Sequence, residues 1–470
     1  MTVFELLIPL DKAAATPLYI QIYETIKKKI QQGELPTTAR LPSIRSLAMQ
    51  LEVNKMTVET AYDQLAAEGY LERKPSSGFF VQEMNTDFFT ESPQKKDKSI
   101  FIEPKKDWLV DFNDNGIDRQ HFPLSVWKRL TNQSISEAGE DVFTHGDPQG
   151  EVGLRNEIAS YLQLSRGVQC TVDQLVIGAN SQYLTFLLTL LTSAWKRKVG
   201  VEEPGYHPIT QVFQDMGYEI APIPLKGDGL DITKLRKENP SLVFISPSHQ
   251  YPFGTIMPIG KRIELLEWAT DHNAWIIEDD IDSEFRYSGQ PIPSLQGLDR
   301  KGRVVYMGTF FKSLLPSIRV CYMVLPEELL RIYKKDYIGY QQTTSRIHQR
   351  TIELFMKEGH WERHLLRMRK IYGKKYTFLR KMITQYMGDK VTVLGKDAGL
   401  YSVLVINEKE DEATLSKKAW QRGIKVYGIS DTWFDQSNNI VDRPAFLLGF
   451  GGLQEEEIEK GIKGLCDAWF

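Results

Sequence analysis

The stretch Val304–Val324, VVYMGTFFKSLLPSIRVCYMV, decides how the chain is read. Two apolar runs, Val304–Met307 and Val320–Leu325, read as buried strands. Between them Gly308, Thr309, Lys312, Ser313 and Arg319 make a polar loop. A lysine held between buried strands is a usual way to offer an amine to an aldehyde. Arg319 and the neighbouring hydroxyls suit a phosphate. The plainer alternative is a solvated loop lysine, the common state of that residue. The rest of the chain has to choose.

With 470 residues the chain should hold more than one domain, about three at roughly 150 residues each. Hydrophobic content of 41% and charged content of 25% are those of a globular protein. A net charge of −3 supplies no global basic field, so a nucleic-acid contact would need a local patch. Cys170, Cys321 and Cys466 lie far apart without metal-ligand spacing, and no metal site is expected. Glu5 and Asp11 stand where a signal peptide would be basic and then apolar. The longest aliphatic run, near Leu184–Leu191, is too short to cross a bilayer. A cytoplasmic protein with no membrane partner is the expectation.

In the first eighty residues Thr16-Pro17 predicts a helix start, a hydroxyl cap followed by proline at the first helical position. Tyr19, Ile22, Tyr23, Ile26 and Ile30 follow at helical spacing and Gly33 ends the run. A second helix starts at Ser43, with Ile44, Leu47, Ala48 and Leu51 on one face. Asn54 can cap a third, whose buried face is Val58, Ala61, Tyr62 and Leu65. The tight turn Glu52-Val53-Asn54 between them is the spacing of a helix-turn-helix. The third helix turns Lys55, Met56, Thr57, Thr60 and Gln64 outward, from where a recognition helix reads the major groove. Tyr70–Arg73 and Gly78–Val81 predict a hairpin wing around Lys74-Pro75-Ser76-Ser77. Ser43, Arg45, Asn54, Lys55, Thr57, Thr60 and Lys74 are the candidate DNA contacts. A three-helix protein-interaction module is the competing reading, since acids here roughly balance bases. LPSIRSLAMQLEVNKMTVETAYDQLAAEGYLERKPSSGFFV resembles the winged helix of GntR-type bacterial repressors along nearly its whole length. It departs where that family more often has serine-arginine: Asn54 and Lys55 stand there, and lysine lacks the bidentate fork for guanine.

These landmarks divide the chain into a winged helix-turn-helix at 1–82, a linker at 83–107 and an α/β domain at 108–470. In the linker Lys95, Lys96, Lys98, Lys105 and Lys106 either touch flanking phosphates or keep a tether soluble. Beyond it strand and helix signals alternate, the pattern of a mostly parallel sheet with helices on both faces. Leu175–Ile177 leads into Gly178-Ala179-Asn180-Ser181-Gln182 and an apolar helix, a candidate phosphate cup. Tyr206, in Glu203-Pro204-Gly205-Tyr206, can stack on a flat ring or simply lie at the surface. Leu242–Ile245 runs into SPSHQYPFGTIMP. Ala274–Ile277 ends in Glu278-Asp279-Asp280, where one carboxylate suits a protonated pyridine nitrogen.

FPLSVWKRL, GDPQGEVGLRNEIASYLQLSRGV, EEPGY, SPSHQYPFG, EDDIDSEFRY, GTFFKSLLPSIR and EGHWERHLLRMRKIY occur in that order. With them, residues 109–470 resemble a fold-type I aminotransferase. The whole chain resembles the MocR regulators, a GntR-like winged helix fused to an aminotransferase-like domain. The resemblance implies pyridoxal 5'-phosphate (PLP) as cofactor, with Lys312 as its Schiff-base lysine. It implies Asp279 on the pyridinium, with Asp280 the alternative if the register is off by one, and Tyr206 on the ring. Ser181, Thr309 and Arg319 would hold the phosphate together with amides at Asn180–Gln182. A head-to-tail homodimer is implied as well.

The pocket motifs depart from that family. Ile281 stands where a tyrosine usually bonds the ring's phenolic oxygen, and Tyr251 replaces an asparagine for the same oxygen. His145 and Phe253 replace a common tyrosine and threonine. AFLLGFGGL puts Leu447 or Leu448 where aminotransferases carry a carboxylate-clamping arginine, and Arg443 lies four residues upstream. Efficient turnover is therefore not expected. The leading reading is a PLP-binding regulator of a double-stranded DNA operator that senses a small amine or amino acid, or PLP itself. The alternatives are an active aminotransferase with a DNA-binding arm, and a scaffold that has lost the cofactor. His207, Ser430 and Arg443 are candidates to line the effector site.

Overall fold

The computed structural model describes residues 6–84, 108–227, 229–288, 293–395, 398–407, 410–435, 441 and 443–470. The linker lysines 95–106 lie outside these. The chain forms two compact units, Met1–Lys106 and Asp107–Phe470.

In the first unit three helices, α1 (Leu18–Gln31), α2 (Ile44–Gln50) and α3 (Lys55–Ala67), precede a hairpin of β1 (Leu71–Lys74) and β2 (Gly78–Val81). The hairpin is antiparallel, pairing Leu71 with Val81 and Lys74 with Gly78. Of the expected faces, Ile22, Tyr23, Ile26 and Ile30 on α1, Leu47 and Ala48 on α2, and Val58, Ala61, Tyr62 and Leu65 on α3 are buried, while Tyr19, Ile44 and Leu51 are half-buried. They close one apolar core with Leu71, Phe79 and Val81 of the wing. The Thr16 cap is not made. Pro17 holds the cap position without a side-chain bond, and Gln21 reaches back from inside the helix to the carbonyl oxygens of Asp11 and Thr16.

The second unit opens with β3 (Val110–Asp111) and contains a seven-stranded sheet. Its strands are β4 (Leu175–Gly178), β5 (Lys198–Glu203), β6 (Glu219–Pro224), β7 (Leu242–Ile245), β8 (Trp275–Asp279), β9 (Val304–Thr309) and β10 (Cys321–Val324), in the order β4-β10-β9-β8-β7-β5-β6. Only β10 runs against its neighbours, placing Cys321 opposite Thr309 on one side and Gly178 on the other. The remaining pairs are parallel, so the loops leaving these strands gather at one edge. Central strands buried on both faces explain the unbroken apolar runs in the sequence.

A second sheet follows, made of β11 (Val391–Leu394), β12 (Tyr401–Ile406), β14 (Tyr427–Gly428) and β15 (Ala445–Gly449); β13 (Ile424–Lys425) pairs instead with β3. The 28-residue helix His360–Met387 spans about 42 Å and packs into a core shared by both sheets. Leu175 and Tyr306 from the first sheet and Leu404 and Phe446 from the second belong to that one core. Counting by length expects three domains; the shared core makes two units. Inside it Lys375 Nζ pairs with Asp118 at 2.7 Å, tying the long helix to the unit's beginning. Among the described residues no helix is long and apolar enough to cross a membrane.

Candidate functional site

At the edge where the parallel strands end lies a cavity of about 240 Å³. Nine residues expected from the sequence line it: Asn180, Ser181, Gln182, Tyr206, Tyr251, Asp279, Thr309, Lys312 and Arg319. They come from five separate strand-to-loop turns, so only the sheet brings them together.

Lys312 is buried, 9% exposed, which removes the solvated-lysine reading. Its Nζ lies 2.7 Å from Asp282 Oδ2 and 5.4 Å from the centre of the Tyr401 ring. Burial alone would lower its pKa, but Asp282 and Asp114 outweigh that and raise it. Asp282 has φ +67°, a left-handed conformation that non-glycine residues seldom adopt.

Asp279 and Asp280 separate cleanly. Consecutive strand residues face opposite sides. Asp279 lines the cavity, whereas Asp280 accepts from Arg166 Nε at 2.7 Å and from the Tyr306 hydroxyl at 2.5 Å. Asp280 as the cavity carboxylate is thereby excluded. Burial, reinforced by Asp280 and Asp282, pushes Asp279 up to about 8. A cation placed against it would reverse that.

At the other end Asn180 Oδ1 accepts from the Tyr183 amide at 2.7 Å and caps the helix Ser181–Leu191. The first amides of that helix have no intrahelical partner and carry the positive end of its dipole. Thr309 Oγ1 accepts from the Phe311 amide at 3.0 Å and from Cys321 Sγ at 3.1 Å, leaving its own proton for an outside acceptor. Burial lifts the Cys321 thiol to about 11 and keeps it protonated. Arg319 follows the short turn Pro316–Ile318 with φ +55°, and makes no ion pair among the described residues. Amides, a hydroxyl and a guanidinium thus converge as an anion site.

Tyr206, at the start of the helix His207–Asp215, meets Tyr251 edge to face at 5.6 Å, and Tyr251 meets Tyr401 at 5.9 Å. Ile281 also lines the cavity. Leu447 and Leu448 are buried in β15, and Arg443 donates to Asn407 at 2.6 Å rather than turning inward. His207 packs on Phe434 at 4.5 Å, and Ser430 donates to Glu412 at 2.5 Å. None of His207, Ser430 and Arg443 is among the lining residues, which corrects the expected effector contacts. Sequence reasoning missed Asp114, Ser246, His249, Asp282 and Tyr401. For Asp282 a signal existed, because it lies three residues past Asp279 in the same acidic run.

On the winged-helix unit Arg45, Lys55 and Thr60 are exposed and Thr57 is half-buried. Ser43 and Asn54 spend their side-chain oxygens as helix caps, accepting from the amides of Ser46 at 3.1 Å and Met56 at 3.0 Å. The Thr60 hydroxyl donates to the Met56 carbonyl at 2.8 Å. Lys74 pairs with Glu72 at 3.3 Å. Arg45 and Lys55 have no ion-pair partner among the described residues, so theirs are the available cations at the head of α2 and α3.

Asp279 and Glu202 both titrate near 8 in the folded chain, through burial first, against roughly 4 when unfolded. Between these values the native state binds more protons, so their contribution to stability is full below about pH 4 and lost as pH rises to about 8. In protein freed of small molecules, denaturant midpoints should therefore fall more between pH 5 and 8 for the wild type than for Asp279→Asn. Equal falls would remove Asp279 as a source.

Comparison with known proteins extends this geometry. Residues 109–437 match the family model "Aminotransferase class I and II", and residues 18–81 match "Bacterial regulatory proteins, gntR family". The HTH-type transcriptional regulator YdeL of Bacillus subtilis is 40% identical, covering 98% of both chains. The probable rhizopine catabolism regulatory protein MocR of Rhizobium meliloti is 31% identical, over 98% of this chain and 95% of its own. The kynurenine aminotransferase of Pyrococcus horikoshii superposes with a TM-score of 0.67 at 22% identity, over 77% of this chain and 91% of that one. That likeness speaks for the fold alone. With both family models matched in one chain and regulators similar end to end, the protein belongs to the MocR-type regulators, in which a GntR-family winged helix is fused to an aminotransferase-like domain.

Proposed function

We propose that this DNA-binding regulator holds pyridoxal 5'-phosphate in the cavity and responds there to a small amine or amino acid. The observation that carries the reading is Lys312, a buried amine sharing one cavity with Asp279 and with the anion site at Ser181, Thr309 and Arg319. The donor set fits the group: a carboxylate for a protonated ring nitrogen, an aromatic face at Tyr206, and amides, hydroxyl and guanidinium for a phosphate. When bound, the cofactor supplies an aldehyde that condenses with amines. Lys312 presents the protein's own amine, and Asp282 holds the proton on its Nζ. Tyr251 is the hydroxyl available to the ring's phenolic oxygen, since Ile281 offers none. Were an effector amine to take the place of Lys312 on the cofactor, Asp282 would hold the lysine's ammonium. Occupancy then changes DNA affinity to the extent that the two states bind the effector unequally.

We further propose a head-to-tail homodimer and a cytoplasmic location. Tyr206 and Arg319 are exposed at the cavity mouth, where a second copy would cover them. The three free cysteines suit a reducing compartment. Turnover is proposed to be inefficient, because β15 offers leucines where a substrate carboxylate needs a guanidinium.

Adding PLP to the purified protein should give a yellow, visible absorbance band that Lys312→Ala abolishes. A colourless wild type would refute the cofactor assignment. Amino acid and keto acid pairs should turn over well below the ordinary enzymatic range of roughly 1–1000 per second, and a rate inside it would establish an enzyme. Arg45→Ala should weaken operator binding and reduce its salt dependence by about one phosphate contact. Binding with an unchanged salt slope would exclude Arg45 from the interface.

A further inference from the structure

Once Asp279 faces a ring nitrogen and Arg319 a phosphate, the charged side chains left around the cavity among the described residues are Asp114, Asp282 and Lys312. Lys312 is the amine that gives way to an effector and its ammonium stays on Asp282, so among the described residues lining the cavity the carboxylate left for the effector is that of Asp114. Asp282 is 4% exposed, and its Oδ1 is fully buried with no hydrogen-bond partner. Only Oδ2 is used, by Lys312. Asp114 reaches the same space from the loop after β3 and, like Asp282, interacts electrostatically with Lys312.

The remaining wall is uncharged and electron-rich. Tyr251 and Tyr401 present rings, and the Lys312 ammonium already stands 5.4 Å from the centre of the latter. Aromatic faces attract cations. His249, 7% exposed, is held neutral by burial and adds no positive charge. A carboxylate brought here would face Asp114, with no described cation on the cavity wall besides Lys312 and Arg319. A second ammonium would instead find the Asp114 carboxylate and an aromatic ring.

We infer, on the PLP-binding reading above, that the effector is a diamine, or another primary amine with a second cationic group, rather than an α-amino acid. The geometry that assigns this is the placement of Asp114 in one cavity with Lys312 and the rings of Tyr251 and Tyr401, where Arg319 is the one arginine among the described lining residues.

Three four-carbon probes differ only at the far end: 1,4-diaminobutane, 1-aminobutane and 4-aminobutanoate. Each is titrated into the PLP-loaded full-length protein while the visible band is followed. The diamine should half-saturate the change at a concentration about tenfold or more below that of 1-aminobutane, with 4-aminobutanoate weakest. Asp114→Asn should bring the ratio of diamine to monoamine towards one. A response to 4-aminobutanoate equal to or stronger than that to the diamine overturns the inference. So does an unchanged ratio in a folded Asp114→Asn, or no response to any probe. The wild-type series decides alone if that variant does not fold. Failure of the wild type to take up PLP through Lys312 is a separate outcome, seen before any amine is added, and it removes the parent reading too.

Discussion

Two neighbouring carboxylates at the end of one strand set the terms for the whole site. The pleat sends Asp279 and Asp280 to opposite sides, and both are desolvated there. Asp280 is held by a buried arginine, Arg166, with the Tyr306 hydroxyl completing its shell, and Arg166 itself donates to Ser248 at 2.8 Å. The ion pair secures the end of β8 to the helix Val152–Arg166. That leaves Asp279 as the member free to face the cavity. A buried charge pair of this kind adds little net stability against an apolar alternative. Its effect is to select which carboxylate faces the cavity.

The single reversed strand supplies the second constraint. Because β10 runs back between β9 and β4, the loop carrying Lys312 returns to the edge it left and ends at Arg319. An amine and a guanidinium seven positions apart therefore flank one cavity. β10 also lies beside β4, whose following turn holds Asn180, Ser181 and Gln182. A wholly parallel arrangement would need a long crossover after Thr309 and could not join these groups through so short a loop.

Much of this was legible in the residues. Apolar runs marked β7, β9 and β10, and the helical spacing of the first unit named its buried faces, because burial on defined faces leaves a period in the sequence. The nine lining residues came from motifs. What stayed hidden was whatever depends on contacts between distant segments. Tyr401 heads a strand that is apolar but for Ser402, and Asp114 belongs to a short polar loop with nothing to link it to Lys312. His207, Ser430 and Arg443 looked available because sequence does not show that Phe434, Glu412 and Asn407 already engage them. At Thr16, where the local rule expected a hydroxyl cap, no side chain caps the helix and the Thr16 carbonyl accepts from Gln21.

The winged helix buries its own apolar core, seventeen residues among those described, all of them between Leu6 and Val81. Such a unit is transferable. The peptide chain joining it to the larger body is a natural place for genes to be cut and rejoined. A lineage could thus exchange its DNA address while keeping its chemical sense, or keep the address and re-tune the sense, without re-solving either fold.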